Sequence, residues 1–136
     1  MAAFQFSVAV RNARLDAIET AIGTGAVLKI RTGAQPADVA TADSGAVLST
    51  VTLPTDWMAV ASSGSKAMAG TWSDASADAT GTAAHFRIYA SDGTTAHIQG
   101  DVTITGGGGK MTVDNPSFAI GQTFTVTSFT LTDGNQ

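Results

Sequence analysis

After Gly25 the sequence breaks into short β-type runs separated by turn residues, and this punctuation most narrows the folds open to the chain. Val27 to Arg31 is a first run. Val47 to Leu53 alternates and stops at Pro54, a residue that lacks the N–H a ladder needs. Between them TGAQPADVATADSG (32–45) is a connection rich in Ala, Asp and Gly. Thr55 or Asp56 is expected to cap a short helical turn through Val60, with a loop at 62–65 and a strand near 68–72. Loop residues return at SDASADATGT (73–82), and the remainder is strand-like. Many short strands spaced in this way predict a sandwich or a barrel.

The residues before Gly25 behave differently. Leu15, Ile18 and Ile22 recur at helical spacing with Ala21 alongside, so a helix is expected from about Val8 to Ile22. Ser7 is placed to cap its start and Gly23 to end it. Arg11, Arg14, Asp16 and Glu19 fall off the apolar stripe. About four turns are marginal alone, so this helix must dock on something.

HFRIYASDGTTAHIQGD (85–101) holds both histidines, an arginine and the only tyrosine. A two-residue turn at Asp92-Gly93 would mix polar and apolar side chains on each face. A three-residue loop, Ser91 to Gly93, shifts the pairing by one. Phe86, Ile88 and Ala90 then share a face with Ala96, Ile98, Val102 and Ile104. His85, Arg87, Tyr89, His97, Gln99 and Asp101 share the other, with Arg87 opposite His97. A one-residue slip flips every side chain, so burial selects this register and turns the polar cluster outward. In TFTVTSFTLT (123–132) the apolar phase breaks near Thr127 and Ser128, where a bulge is expected.

Several chemistries can be weighed and set aside. Two histidines on one face could hold a metal, but a structural zinc wants four ligands and only Asp101 joins them on the hairpin. TGGGGKMT (105–112) lacks the Walker A pattern, since Met111 follows Lys110 and Ile104 stands where the first glycine belongs. It reads as a flexible hairpin loop. DASADATG from Asp74 begins like a calcium loop, but Ala79 and His85 occupy the glycine and glutamate positions. No GxSxG elbow occurs. An enzyme is not expected, nor is a catalytic, cofactor or metal residue.

Charge is the compositional outlier: 13% of residues are charged, against roughly 25% in ordinary soluble domains. Net charge is −4, which argues against a nucleic-acid partner. No run approaches the ~20 apolar residues of a membrane span. The opening MAAFQFSVAVRNARLD has no basic residue ahead of its apolar stretch and Arg11 interrupts it, so no signal peptide is expected. There are no cysteines, and oxidising secretion is not implied. A weakly charged exterior is easily desolvated, which predicts that much of it lies against other protein.

RNARLDAIETAIG followed by LKIRTGAQP, then LPTDWMA, ATGTAAHFRIYASDGTT and MTVDNPSFAIGQTFTVTSFTLTDG, resemble small virion proteins of tailed bacteriophages. The resemblance covers nearly the whole chain and is nearest to capsid cement (decoration) proteins of short-tailed phages, of the Bordetella phage type. It implies a jelly-roll-like fold, a location on the outer capsid surface after synthesis in the host cytoplasm, and the major capsid protein as partner. Together with the residue pattern this gives an all-β expectation for one domain: an antiparallel, jelly-roll-like β-sandwich (25–136) preceded by one amphipathic helix (1–24). Self-association as a homodimer or other small oligomer is expected. The expected contact residues are His85, Arg87, Tyr89, His97 and Gln99 on the hairpin, with Arg11 and Arg14 on the N-terminal segment. A tail or baseplate protein and a host-attachment carbohydrate-binding module are the competing readings.

Overall fold

The computed structural model describes residues 3–135. Helix α1 (Val8–Ile22) begins and ends where its caps require. Ser7 Oγ accepts from Val10 N, and Gly23, at φ +86°, closes the helix with its N–H on the Glu19 carbonyl. Leu15 and Ile22 are buried and Ile18 packs on the core. The docking face is only half apolar, which corrects the simple stripe. Ala21 is exposed, whereas Asp16 and Glu19 reach Lys66 Nζ at 2.7 and 2.9 Å. Lys66 is buried, and its third donor meets the Ala59 carbonyl at 2.9 Å. A buried ammonium is tolerated because every donor is satisfied.

The strands are β1 (Val27–Arg31), β2 (Val47–Thr52), β3 (Ser65–Ala67), β4 (Ser73–Asp74), β5 (Gly81–Thr82), β6 (His85–Tyr89), β7 (Ala96–Ile104), β8 (Met111–Val113), β9 (Ser117–Phe118) and β10 (Phe124–Thr132). All but β5 and β9, which form a small ribbon, join one sheet in the order β2-β1-β6-β7-β8-β10-β3, with β4 also on β10. The chain is therefore all-β with one N-terminal helix. The sheet curls on itself, so that Phe86 of β6 meets Phe129 of β10 edge-on at 5.5 Å. Its far ends approach too, as Ser49 of β2 hydrogen-bonds Asp74 of β4 and Asp78 N donates to the Leu48 carbonyl. This order does not trace the two Greek keys of a jelly roll.

The pairing is not uniformly antiparallel. β7 and β8 are parallel, Val102 beside Met111 and Ile104 beside Val113. Parallel neighbours ordinarily need a crossover of about a dozen residues, yet only residues 105–110 join these two. The glycines of TGGGGK make that possible, so the segment is not the hairpin loop expected. Gly107 and Gly109 lie so close to β7 that a Cβ on either would stand 2.8 Å from Thr103. Gly109 N donates to Thr103 Oγ1 and Lys110 N to Asp101 Oδ1. The predicted bulge in β10 is present: Val126 pairs with Val113 and Ser128 with Thr112, leaving Thr127 unmatched.

One hydrophobic cluster gathers Leu28, Ile30, Leu48, Phe86, Ile88, Phe124 and Phe129 around two fully buried tryptophans. Trp57 and Trp72 lie 6.1 Å apart, and Trp57 Nε1 donates to the Gly23 carbonyl. No helical turn forms at 55–60; Met58 instead bridges Met68. The strand expected near 68–72 lies earlier, at β3, after a Ser63-Gly64 turn with both φ positive (53° and 74°). No helix of the described residues is long and apolar enough to cross a membrane.

Candidate functional site

The β6–β7 hairpin closes through neither short loop. Ala90 N donates to the Thr95 carbonyl, so four residues span the turn. The Asp92 carboxylate organises them by accepting from Thr94 N and Thr95 N, as well as from Thr95 Oγ1. Those bonds hold its carboxyl far below the ordinary carboxylate range. A bulge then restores the phase. Tyr89 pairs with Ala96 and Ile88 with Ile98, leaving His97 as the extra residue, exposed. Arg87 consequently stands opposite Gln99, not His97.

Phe86 and Ile88 face the core as expected. The other face is not a solvent face, and this corrects the central expectation for the hairpin. His85, Arg87 and Tyr89 are 1%, 2% and 0% exposed. Segment 32–46 crosses over them as a strap, fastened by hydrogen bonds. Asp43 lies at its centre: Oδ1 accepts from Arg87 Nη1 at 2.9 Å and Tyr89 Oη at 2.7 Å, and Oδ2 from Arg31 Nη2 at 2.9 Å. Arg87 Nη2 also donates to the carbonyls of Asp38 and Thr41. Gln99 accepts from Arg87 Nε and donates to the Pro36 carbonyl at 2.9 Å. The His85 ring Nδ1 lies 2.9 Å from the Gly33 carbonyl.

Charge and burial oppose each other in this cluster. Burial raises the Asp43 carboxyl, but the Tyr89 hydroxyl and the Arg31 and Arg87 guanidiniums outweigh it and hold it below its ordinary value. Burial pushes the His85 imidazole down, and the two arginines add to that. Burial and the hydrogen bond to Asp43 push the Tyr89 phenol up. The outcome is a neutral histidine and an ionised aspartate shared by two arginines. His85, Arg87 and Tyr89 are thus occupied within the protomer and present no contact face. His97 is exposed and Gln99 half-buried.

His85 is under the strap, whereas Asp101 accepts from Lys110 N. Among the described residues no group of three or more His, Asp or Glu is placed to hold a metal ion. Asp74 accepts from Ser49 Oγ and Ser76 N.

Besides Val60, Ile104 and Ile120, the exposed large apolar side chains among the described residues lie together in the N-terminal segment. Phe4 and Phe6 are 73% and 38% exposed, and Val8 and Val10 are nearly half exposed. The two phenyl rings meet edge to face at 5.1 Å. Arg14 lies beside them, and both Arg11 and Arg14 are tied to the far end of the chain. Arg11 Nη1 donates to the Asp133 carbonyl at 3.0 Å, and Arg14 pairs with the Asp133 carboxylate at 3.2 Å. The Arg14 guanidinium also stacks 5.0 Å from the Phe6 ring centre. Phe6 N donates to Asn135 Oδ1 and Asn135 Nδ2 to the Phe6 carbonyl. Sequence reasoning singled out the arginines and missed Phe4, Phe6, Asp133 and Asn135. The signal was the alternation FQFSVAV, weighed only as the apolar stretch of a possible signal peptide.

No protein-family model, curated protein or solved structure matches this chain. The arrangement of buried and exposed side chains is what bears on function.

Proposed function

We propose that this chain is a structural protein of a tailed-phage virion, a capsid cement protein that binds the outside of the head across edges of the major capsid protein. The observation that carries the reading is the exposed apolar arm, Phe4, Phe6, Val8 and Val10, on a body whose other large aromatic side chains are mostly turned inward. Such a patch on a weakly charged exterior suits a protein–protein contact. The resemblance of the sequence to phage cement proteins supplies the partner class. A ligand that binds the assembled shell and not its parts stabilises the shell by mass action. Each added copy contributes to resistance against packaged DNA.

Trp57, Trp72 and Tyr89 are all buried, which weighs against the flat aromatic platform of a carbohydrate-binding module. Mass spectrometry of purified virions split into heads and tails tests the proposal. Many copies in the head fraction, and a lower melting temperature for heads stripped of the protein, are the expected results. Copies confined to tails would replace the cement role with the tail or baseplate role.

A further inference from the structure

We propose that residues 33–45, the strap over β6, form a hinged flap that lifts from the sheet when His85 takes up a proton, while the sheet beneath stays folded. The proposal concerns the isolated chain and needs no partner.

The strap is built to move as a unit. Pro36 alone among residues 32–46 is buried, and no residue of the strap belongs to the hydrophobic cluster. Polar bonds therefore hold it, and across the β6 face they run one way. Arg31, Arg87 and Tyr89 donate to the Asp43 carboxylate, and His85 and Gln99 donate to main-chain carbonyls of the strap. At its feet Thr32 N donates to the Ala46 carbonyl and Ala46 N to Thr32 Oγ1, which pins the base between β1 and β2. Just inside that rung stand Gly33 and Gly45, at φ +78° and +74°. Glycine accepts backbone rotations that other residues resist, so both feet can turn. A segment without core contacts, closed by hydrogen bonds and hinged at both ends, opens at a lower cost than the sheet unfolds.

His85 is where the closed arrangement can be overloaded. Its Nδ1 faces the Gly33 carbonyl at 2.9 Å and so carries the proton of the neutral ring. Nε2 is buried and meets no hydrogen-bond partner among the described residues. A bare nitrogen is tolerated there, but a second N–H would be a buried donor without an acceptor. Charge points the same way. Arg31 stands opposite His85 on β1, Arg87 lies two positions along β6, and Lys29 lies further along β1 over the Tyr89 ring. The negative groups are already committed. Asp43 serves the two guanidiniums and the phenol, and Asp38 accepts from Thr41. Asp101, opposite His85 on β7, is exposed and accepts from Lys110 N. A proton on His85 thus adds a further cation and an unmatched donor beneath the strap, and lifting the foot at Gly33 gives both ring nitrogens to water. Because burial and the arginines lower the histidine in the closed form, closure is complete above about pH 6.5 and weakens as pH falls toward the folded value. The Asp43 carboxyl, held below its ordinary value, keeps its charge through that window.

Hydroxyl-radical footprinting of the full chain, read by mass spectrometry between about pH 7.5 and about pH 5, separates opening from unfolding. Tyr89 is the only tyrosine and is bonded to the strap, whereas Trp57 and Trp72 report on the core. Oxidation of Tyr89 should rise several-fold as pH falls below about 6.5, by at most about tenfold per pH unit for a single proton. The tryptophans should stay protected. In His85→Gln the side-chain amide can still donate to Gly33 but takes up no proton, so Tyr89 should stay protected throughout. Equal protection of Tyr89 at both ends of the range overturns the proposal. So does oxidation of Tyr89 and the tryptophans together, or a folded His85→Gln variant with an unchanged pH response. If His85→Gln does not fold, imidazole NMR on the full chain decides. Tyr89 exposure that follows the His85 titration supports the flap, and exposure that follows His97 instead overturns it.

Discussion

Asp43 is the residue on which the strap depends. Among the described residues its carboxylate is the only ion-pair partner of both Arg31 and Arg87, whose side chains are almost fully buried. Asp43→Ala leaves two guanidiniums under the strap without a counter-charge. Breaking a buried pair in that way costs about 3–5 kcal/mol, and because the Asp43 side chain itself is 35% exposed, screening brings the expected loss to about 2–3 kcal/mol. Urea unfolding of the variant measures it. The same cluster sets the acid limit of stability. The Asp43 carboxyl lies below its ordinary value in the folded chain, so its contribution is complete above an unfolded pKa of about 3.9 and is lost as pH falls through the folded value. The His85 imidazole is also lowered, so the unfolded chain takes up a proton first, below about pH 6.5. Melting temperature should therefore begin to fall gently below about pH 6.5 and steeply below about pH 4. His85→Gln should remove the gentle phase and keep the steep one. A flat profile between those values would contradict a histidine held neutral under the strap.

The elements show where sequence could be read and where it could not. Local chemistry was legible: β1 spans Val27–Arg31 as expected, α1 runs from its serine cap to its glycine stop, and the β10 bulge falls at Thr127. The sorting of the hairpin faces was also legible, although through a different device, because the His97 bulge restores the parity that a three-residue loop would have given. What covers a face was not legible. Alternation at 85–89 separates polar from apolar side chains, but the strap that buries the polar set lies about 45 residues earlier in the chain. The fastening residue, Asp43, looks like any loop aspartate. A parallel β7–β8 pair was equally hidden, since four consecutive glycines read as a hairpin loop before they read as a backbone pressed against Thr103. That reading is testable at the same positions. Gly107→Ala and Gly109→Ala should each destabilise the chain by about 1–3 kcal/mol through the clash with Thr103. Gly108→Asn should cost under about 1 kcal/mol, because its site is open and asparagine tolerates a positive φ. Equal effects at all three positions would mean that the loop does not lie against β7.

For the whole molecule the decisive joint is between α1 and the sheet, since α1 carries the exposed arm. Apolar contact through Leu15, Ile18 and Ile22 is modest, and at the middle of the helix the polar part of the joint converges on Lys66, apart from the Arg11, Asn12 and Arg14 contacts nearer its start. Asp16 also accepts from Ala61 N, and Glu19 from Met58 N, so the two carboxylates clasp the 57–66 segment to the helix. Burial disfavours the Lys66 ammonium, but Asp16 and Glu19 outweigh that cost and hold its pKa above the usual lysine value. Lys66→Met keeps the volume and removes the charge. Asp16 and Glu19 are partly exposed and can turn to water, so the expected loss is about 1–3 kcal/mol, less than for a fully enclosed pair. Hydrogen exchange distinguishes where that loss is felt. The amides of α1 should exchange faster in Lys66→Met, with β1 and β6 at the centre of the sheet little changed, because the sheet closes its own core without the ammonium. Uniform acceleration across α1 and the sheet would instead make the helix part of one cooperative unit. In the first case the arm rides on an element that can undock separately from the body, and Lys66 is one of the residues, with Asp133 and Asn135, that set its presentation to a partner.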